Sequence, residues 1–230
     1  EVKHYIRDKL ESKFQSKNNI LHGQCFLYSN NNLRKICCYN DGLLYGQMYL
    51  HNEYGLYEEI NYYANEKNGA YIKYNNFGEI QIYANFKYDK LHGISKMFNL
   101  NGINTHIVEF KNGKLDGKYI TNDICKKIYN FKENHLDGYY TEFYKNNNQK
   151  FRIKFQNNKF DNIYKKYFKD NTLDIEILIT ETGYKITKYI RNNYYFTFFK
   201  INNEYYYKIG NNKIHLNSYY MNPVFNEYML

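Results

Sequence analysis

The chain of 230 residues carries 30 Tyr, 16 Phe, 36 Asn, a single Pro, no Trp and a formal net charge of +9. Aromatic residues at 20% exclude a disordered chain, and that charge is too small over this length for a self-repelling polyelectrolyte. No apolar run reaches the roughly 18 residues of a membrane span and no basic-then-apolar signal opens the sequence, which predicts a cytoplasmic protein.

At the N-terminus Val2, Tyr5 or Ile6, Leu10 and Phe14 fall at helical spacing among charges. This predicts a short amphipathic helix over residues 3–17, within an N-terminal cap spanning 1–20.

From residue 21 a glycine recurs at Gly23, Gly46, Gly69, Gly93, Gly117 and Gly138, at intervals of 21 to 24 residues. Asn162 holds the seventh position; asparagine is the next residue most tolerant of positive φ, so the substitution fits a backbone requirement. An apolar residue stands two before the glycine in the fragments Lys90-Leu91-His92-Gly93, Lys114-Leu115-Asp116-Gly117, His135-Leu136-Asp137-Gly138 and Lys159-Phe160-Asp161-Asn162. Five residues after it an aromatic returns in five of seven units, as Tyr28, Tyr74, Phe98, Phe143 and Tyr167, with His51 and Asn122 breaking the column.

A second punctuation falls mid-unit, at Asn30–Asn32, Tyr54-Gly55, Asn75–Gly78, Asn101-Gly102, Asn122-Asp123, Asn146–Asn148 and Asp170-Asn171. Each unit therefore reads as strand, turn, strand, followed by a tight connection such as Asn112-Gly113. After the mid-unit turn, Ile80, Ile82, Ala84 and Phe86 alternate with other residues, as do Phe151, Ile153 and Phe155, and Leu173, Ile175, Ile177 and Ile179. The expectation is an all-β fold: an elongated open antiparallel meander of about seven hairpin repeats over residues 21–180, each stabilised by its neighbours.

Beyond Thr180 the glycine phase is lost, but strand-like runs continue at 184–190, 194–201, 205–209 and 213–216, with the only proline, Pro223, in the tail. Residues 181–230 are expected to form a degenerate β C-terminal cap covering the open strand edge.

The stretch Asn112-Gly113-Lys114-Leu115-Asp116-Gly117 and the steps from glycine to an aromatic five residues later resemble MORN repeats, in particular the variant of bacterial YwqK-type antitoxins. The resemblance covers roughly residues 21–180. It implies a non-catalytic β-repeat module that binds a partner protein, and for YwqK-like members neutralisation of that partner. It also leaves open a structural or assembly role, by edge pairing of ribbons in a virion or cytoskeletal array, and contact with acidic lipids.

The residues offer little material for catalysis. His22, His92 and His135 precede anchor glycines and read as connection residues repeated with the fold. Glu58 and Glu59 are adjacent and point to opposite faces of a strand. Cys25, Cys37, Cys38 and Cys125 match no zinc spacing and read as structural thiols; neither a metal nor another cofactor is expected. A modest enrichment of cations, among them Lys145, Lys150, Arg152, Lys154, Lys165 and Lys166, offers a surface to nucleic acid or an acidic membrane, although a solvated basic face is the favoured account of it. A protein partner is the leading expectation.

Overall fold

A computed structural model describes residues 1–189, 195–201, 204–209 and 212–216. The described residues contain β-strands and turns and no helix. They divide into two compact units, residues 1–122 and residues from 123 onward.

The first unit contains β1 (Val2–Ile6), β2 (Lys9–Lys17), β3 (Ile20–Ser29), β4 (Asn32–Asn40), β5 (Leu43–Leu44), β6 (Gly46–Asn52), β7 (Gly55–Tyr63), β8 (Glu66–Tyr74), β9 (Ile80–Lys87), β10 (Lys90–Leu91), β11 (Gly93–Phe98), β12 (Asn104–Lys111) and β13 (Lys114–Thr121). The second contains β14 (Lys127–Lys132), β15 (His135–Leu136), β16 (Gly138–Phe143), β17 (Gln149–Gln156), β18 (Lys159–Tyr167), β19 (Leu173–Thr180), β20 (Gly183–Tyr189), β21 (Tyr195–Ile201), β22 (Glu204–Ile209) and β23 (Asn212–Leu216). Within each unit neighbouring strands pair antiparallel as an open meander. The principal contacts of every strand are with its sheet neighbours, so side chains pack along a face and not against a second layer.

The N-terminal helix expected over residues 3–17 is not formed. Those residues are the β1–β2 hairpin, closed by Arg7 and Asp8 at φ 46° and 61°. Tyr5 opposes Leu10 as Tyr28 opposes Leu33 and Tyr74 opposes Ile80, so the hairpin lies in phase with the repeat. A spacing of four residues satisfies a helix of period 3.6 and a strand of period 2 alike; the pairing decides between them.

The tight connections are two-residue turns with both residues at positive φ, as at Ala64 (50°) and Asn65 (71°), Tyr88 (50°) and Asp89 (60°), and Asn112 (52°) and Gly113 (82°). Such turns match the right-handed twist of the strands they join. Each also bonds to the preceding repeat: Asn65 N donates to Leu44 O at 3.0 Å, Asp89 N to Lys67 O at 3.0 Å and Gly113 N to Leu91 O at 2.7 Å.

In the C-terminal segment β20 to β23 form antiparallel pairs. The tail with Pro223, and the expected strand residues Ile190 and Tyr194, lie outside the described residues.

The core sits on one face of the first unit. Cys25, Cys37, Met48 and Ile60 are buried there, with Phe14, Tyr39, Leu44, Leu50, Tyr62 and Tyr71 packed around them. Strand alternation gives this face every second residue.

Candidate binding surfaces

The anchor glycines occupy a two-residue bulge. Phe14 opposes Cys25 and Ser16 opposes Leu21, so Gln15 alone faces His22, Gly23 and Gln24. The arrangement recurs with Asn61 facing residues 68–70, Glu109 facing 116–118 and Lys154 facing 161–163. Gly23, Gly46, Gly69, Gly93, Gly117 and Gly138 have φ between 79° and 120°, and Asn162 has φ 33°.

The lone facing side chain bonds the backbone just past the glycine. Gln15 Oε1 accepts from Gln24 N at 3.0 Å, Glu109 Oε2 accepts from Lys118 N at 3.1 Å, and Asn61 Nδ2 donates to Ala70 O at 3.0 Å. In the seventh unit Lys154 Nζ instead pairs with Asp161 at 2.8 Å. The residue before the glycine supports the next connection: His22 Nδ1 accepts from Asp41 N at 3.4 Å and His92 Nδ1 from Asn112 N at 3.4 Å. These two histidines thereby act within separate connections, three repeats apart, and converge on no common point.

Two columns were legible in the sequence only in part. Opposite the glycines in register stand Tyr39, Tyr62, Phe86, Phe110 and Phe155. Their signal is an aromatic seven residues before the following anchor, and the polar residue eight before it is the bulge partner. Tyr28, Tyr74, Phe98, Phe143 and Tyr167 are half-buried beside the mid-unit turns, opposite Leu33, Ile80, Asn104, Gln149 and Leu173.

The adjacent acids Glu58 and Glu59 are each caught by a tyrosine. Tyr71 Oη donates to Glu58 at 3.1 Å and Tyr74 Oη to Glu59 at 2.5 Å. Burial, with Glu58 adding to it, pushes the Tyr71 phenol up to about 12; the bond to Glu59, with burial, does the same for Tyr74.

The basic residues of the second unit are divided between faces and largely matched by acids. Arg152 and Lys165 oppose each other on one face, whereas Lys166 opposes Phe151 on the other. Lys150 pairs with Glu142 at 2.7 Å, Lys165 with Glu176 at 2.9 Å and Lys166 with Asp174 at 3.7 Å. The Arg152 guanidinium stacks 3.9 Å over the Tyr139 ring. Lys145 lies exposed at a mid-unit turn. Burial pushes the Glu142 carboxyl upward, but hydrogen bonds from Lys150 and Tyr140 outweigh it and hold the group below its usual range. This surface carries less free charge than its composition suggests.

The mid-unit turns of the first unit project apolar side chains outward. Tyr54, Phe77 and Leu100 are 64%, 83% and 71% exposed at the tips of consecutive turns. The backbone beneath them is pinned: Asn52 Oδ1 accepts from Tyr54 N at 2.8 Å, Asn75 Oδ1 from Phe77 N at 2.9 Å, and Asn99 Oδ1 from Asn101 N at 3.0 Å. Successive tips stand two strands apart, about 10 Å. Ile80 and Ile103, 40% and 57% exposed, flank the row. The sequence marked these positions as turns but not as a surface, because tip exposure follows from the three-dimensional edge.

Among the described residues no three His, Cys, Asp or Glu side chains gather as a metal set, and no helix is long and apolar enough to cross a membrane. No protein-family model and no curated protein matches the chain.

Proposed function

We propose that this protein is a non-catalytic repeat scaffold that binds a partner protein through the row Tyr54, Phe77 and Leu100. The carrying observation is their exposure on pinned, consecutive turn tips of one sheet edge. Side chains of this size each gain about 1.5–3 kcal/mol on leaving water, so three on a fixed frame can form the anchor cluster of an interface. Partner neutralisation, as the MORN-like resemblance implies, is the specific form proposed. The intramolecular pairing of Lys150, Lys154, Lys165 and Lys166 weighs against nucleic acid or acidic lipid as the main target.

The test is a triple substitution, Tyr54→Ser, Phe77→Ser and Leu100→Ser, with co-expression of each product encoded beside this gene. Wild type forms a complex that the triple variant loses while its circular dichroism and melting temperature stay unchanged. A complex that survives the triple variant rejects this surface; self-association of the chain alone, lost in the variant, would favour an assembly role instead.

A further inference from the structure

Three sulfur side chains stand side by side in the buried row of the first unit. Cys25 on β3 opposes Cys37 on β4 directly. The pairing of Lys35 with Leu50 and Ile36 with Tyr49, continued one residue, sets Cys37 beside Met48 on β6. Their exposures are 6%, 1% and 5%, and all three belong to one cluster. Directly opposed residues hold their Cβ atoms about 4.5–5.5 Å apart, a separation from which two thiols reach a common centre. Elsewhere this row carries Ile60, Tyr71 and Ala84, so sulfur meets sulfur only at this place in it.

We infer that Cys25, Cys37 and Met48 form a binding site for one Cu(I) ion. Two thiolates and a thioether are soft donors, and that set selects Cu(I) over harder divalent cations. Structural zinc takes four ligands; of the surrounding side chains Phe14, Leu44 and Leu50 add no donor, and Tyr39, hydrogen-bonded to Cys37, adds only a hard phenol oxygen that Cu(I) does not favour. Binding exchanges two thiol protons for the metal: both S–H bonds break and their protons pass to solvent, two Cu–S bonds form, Met48 supplies a third, and no electron is transferred. Lys35, two residues from Cys37 on the same face, supplies positive charge beside the thiolates once the metal holds them. Cys38, the next residue, alternates to the other face and is excluded from the set.

The experiment titrates Cu(I) anaerobically into the reduced full chain against the chromophoric chelator bicinchoninate. One Cu(I) per chain is withdrawn from the chelator, and X-ray absorption shows a shell of three sulfurs. Met48→Leu, of similar volume, leaves a two-sulfur shell and weaker competition. Cys25→Ser with Cys37→Ser loses competition altogether. As these buried changes can perturb folding, Cys38→Ser with Cys125→Ser provides the complementary arm and retains the full wild-type competition. The proposal is overturned if wild type fails to compete, if the Cys38/Cys125 variant loses binding, or if the shell contains nitrogen or oxygen.

Discussion

Glu109 lies across Gly117. Its Oε2 accepts from Lys118 N at 3.1 Å, and a Cβ built at residue 117 would stand 2.0 Å from that oxygen and 2.8 Å from the Glu109 Cβ. Glycine therefore meets two demands here, a φ of 120° and a closely approaching side chain. At Gly46 only the first applies, because nothing lies within 4 Å of the added Cβ. Gly46→Ala is predicted to cost about 1 kcal/mol from backbone conformation alone. Gly117→Ala adds overpacking of about 1–3 kcal/mol. Urea unfolding midpoints of the two variants check the difference; equal shifts would mean that Glu109 swings aside freely.

Ala64 is an unfavourable occupant of its turn. It is exposed, at φ 50°, in the first position of a turn that favours Asn or Gly. Ala64→Asn is predicted to raise stability by about 1 kcal/mol, since an ordinary L-residue in this conformation costs roughly 1–2 kcal/mol and Asn less. Thermal melting measures the effect, and a lowered melting temperature would contradict it.

Turns such as the one at Ala64 also mark the limit of what the residues disclose. Asn112-Gly113 announces a hairpin because its composition matches the required φ. Ala64, Tyr88 and Glu133 take the same backbone conformation without the composition, so phase alone placed their connections. The anchor glycines and strand alternation were readable because they recur in register. The bulge partners Gln15, Asn61 and Glu109 are varied polar residues whose common role appears only when paired with the glycine opposite. The tip row escaped for another reason: Tyr54, Phe77 and Leu100 differ in type, and Leu100 stands one place earlier in its turn than the other two, directly after Asn99.

Alkaline pH probes the buried tyrosines. Burial, together with the neighbouring thiols of Cys37 and Cys25, pushes Tyr39 up to about 12, and Tyr71 and Tyr74 reach the same value. Each of these phenols ionises near 10 once the chain unfolds. The unfolded state then releases protons first, so the stability tied to keeping them neutral is intact below pH 10 and is lost as pH rises toward 12. Phenolate absorbance is predicted to rise in two waves, the later one, from this group, together with loss of the far-ultraviolet β signal. Tyr74→Phe makes the decline in stability above pH 10 shallower. A single wave near 10 with the β signal intact would contradict the assignment.

Asp174 is buried to 4% exposure between two lysines, with Lys188 in direct contact and Lys166 at 3.7 Å. The partners are unequal in what their loss leaves behind. Without Lys188, a buried carboxylate retains only the longer contact to Lys166; without Asp174, both ammonium groups still reach water, their side chains being 25% and 40% exposed. Stranding a buried charge costs about 3–5 kcal/mol, whereas removal of Asp174 strands none, because both ammonium groups keep their contact with water. Lys188→Met is thus predicted to destabilise by about 3 kcal/mol, and Asp174→Leu by distinctly less. The double variant should be more stable than Lys188→Met alone, because it removes the charge that the single change leaves unpaired. Denaturant unfolding of the three variants decides, and a double variant weaker than both singles would show that packing at Asp174, not charge, holds this part of β19 in place.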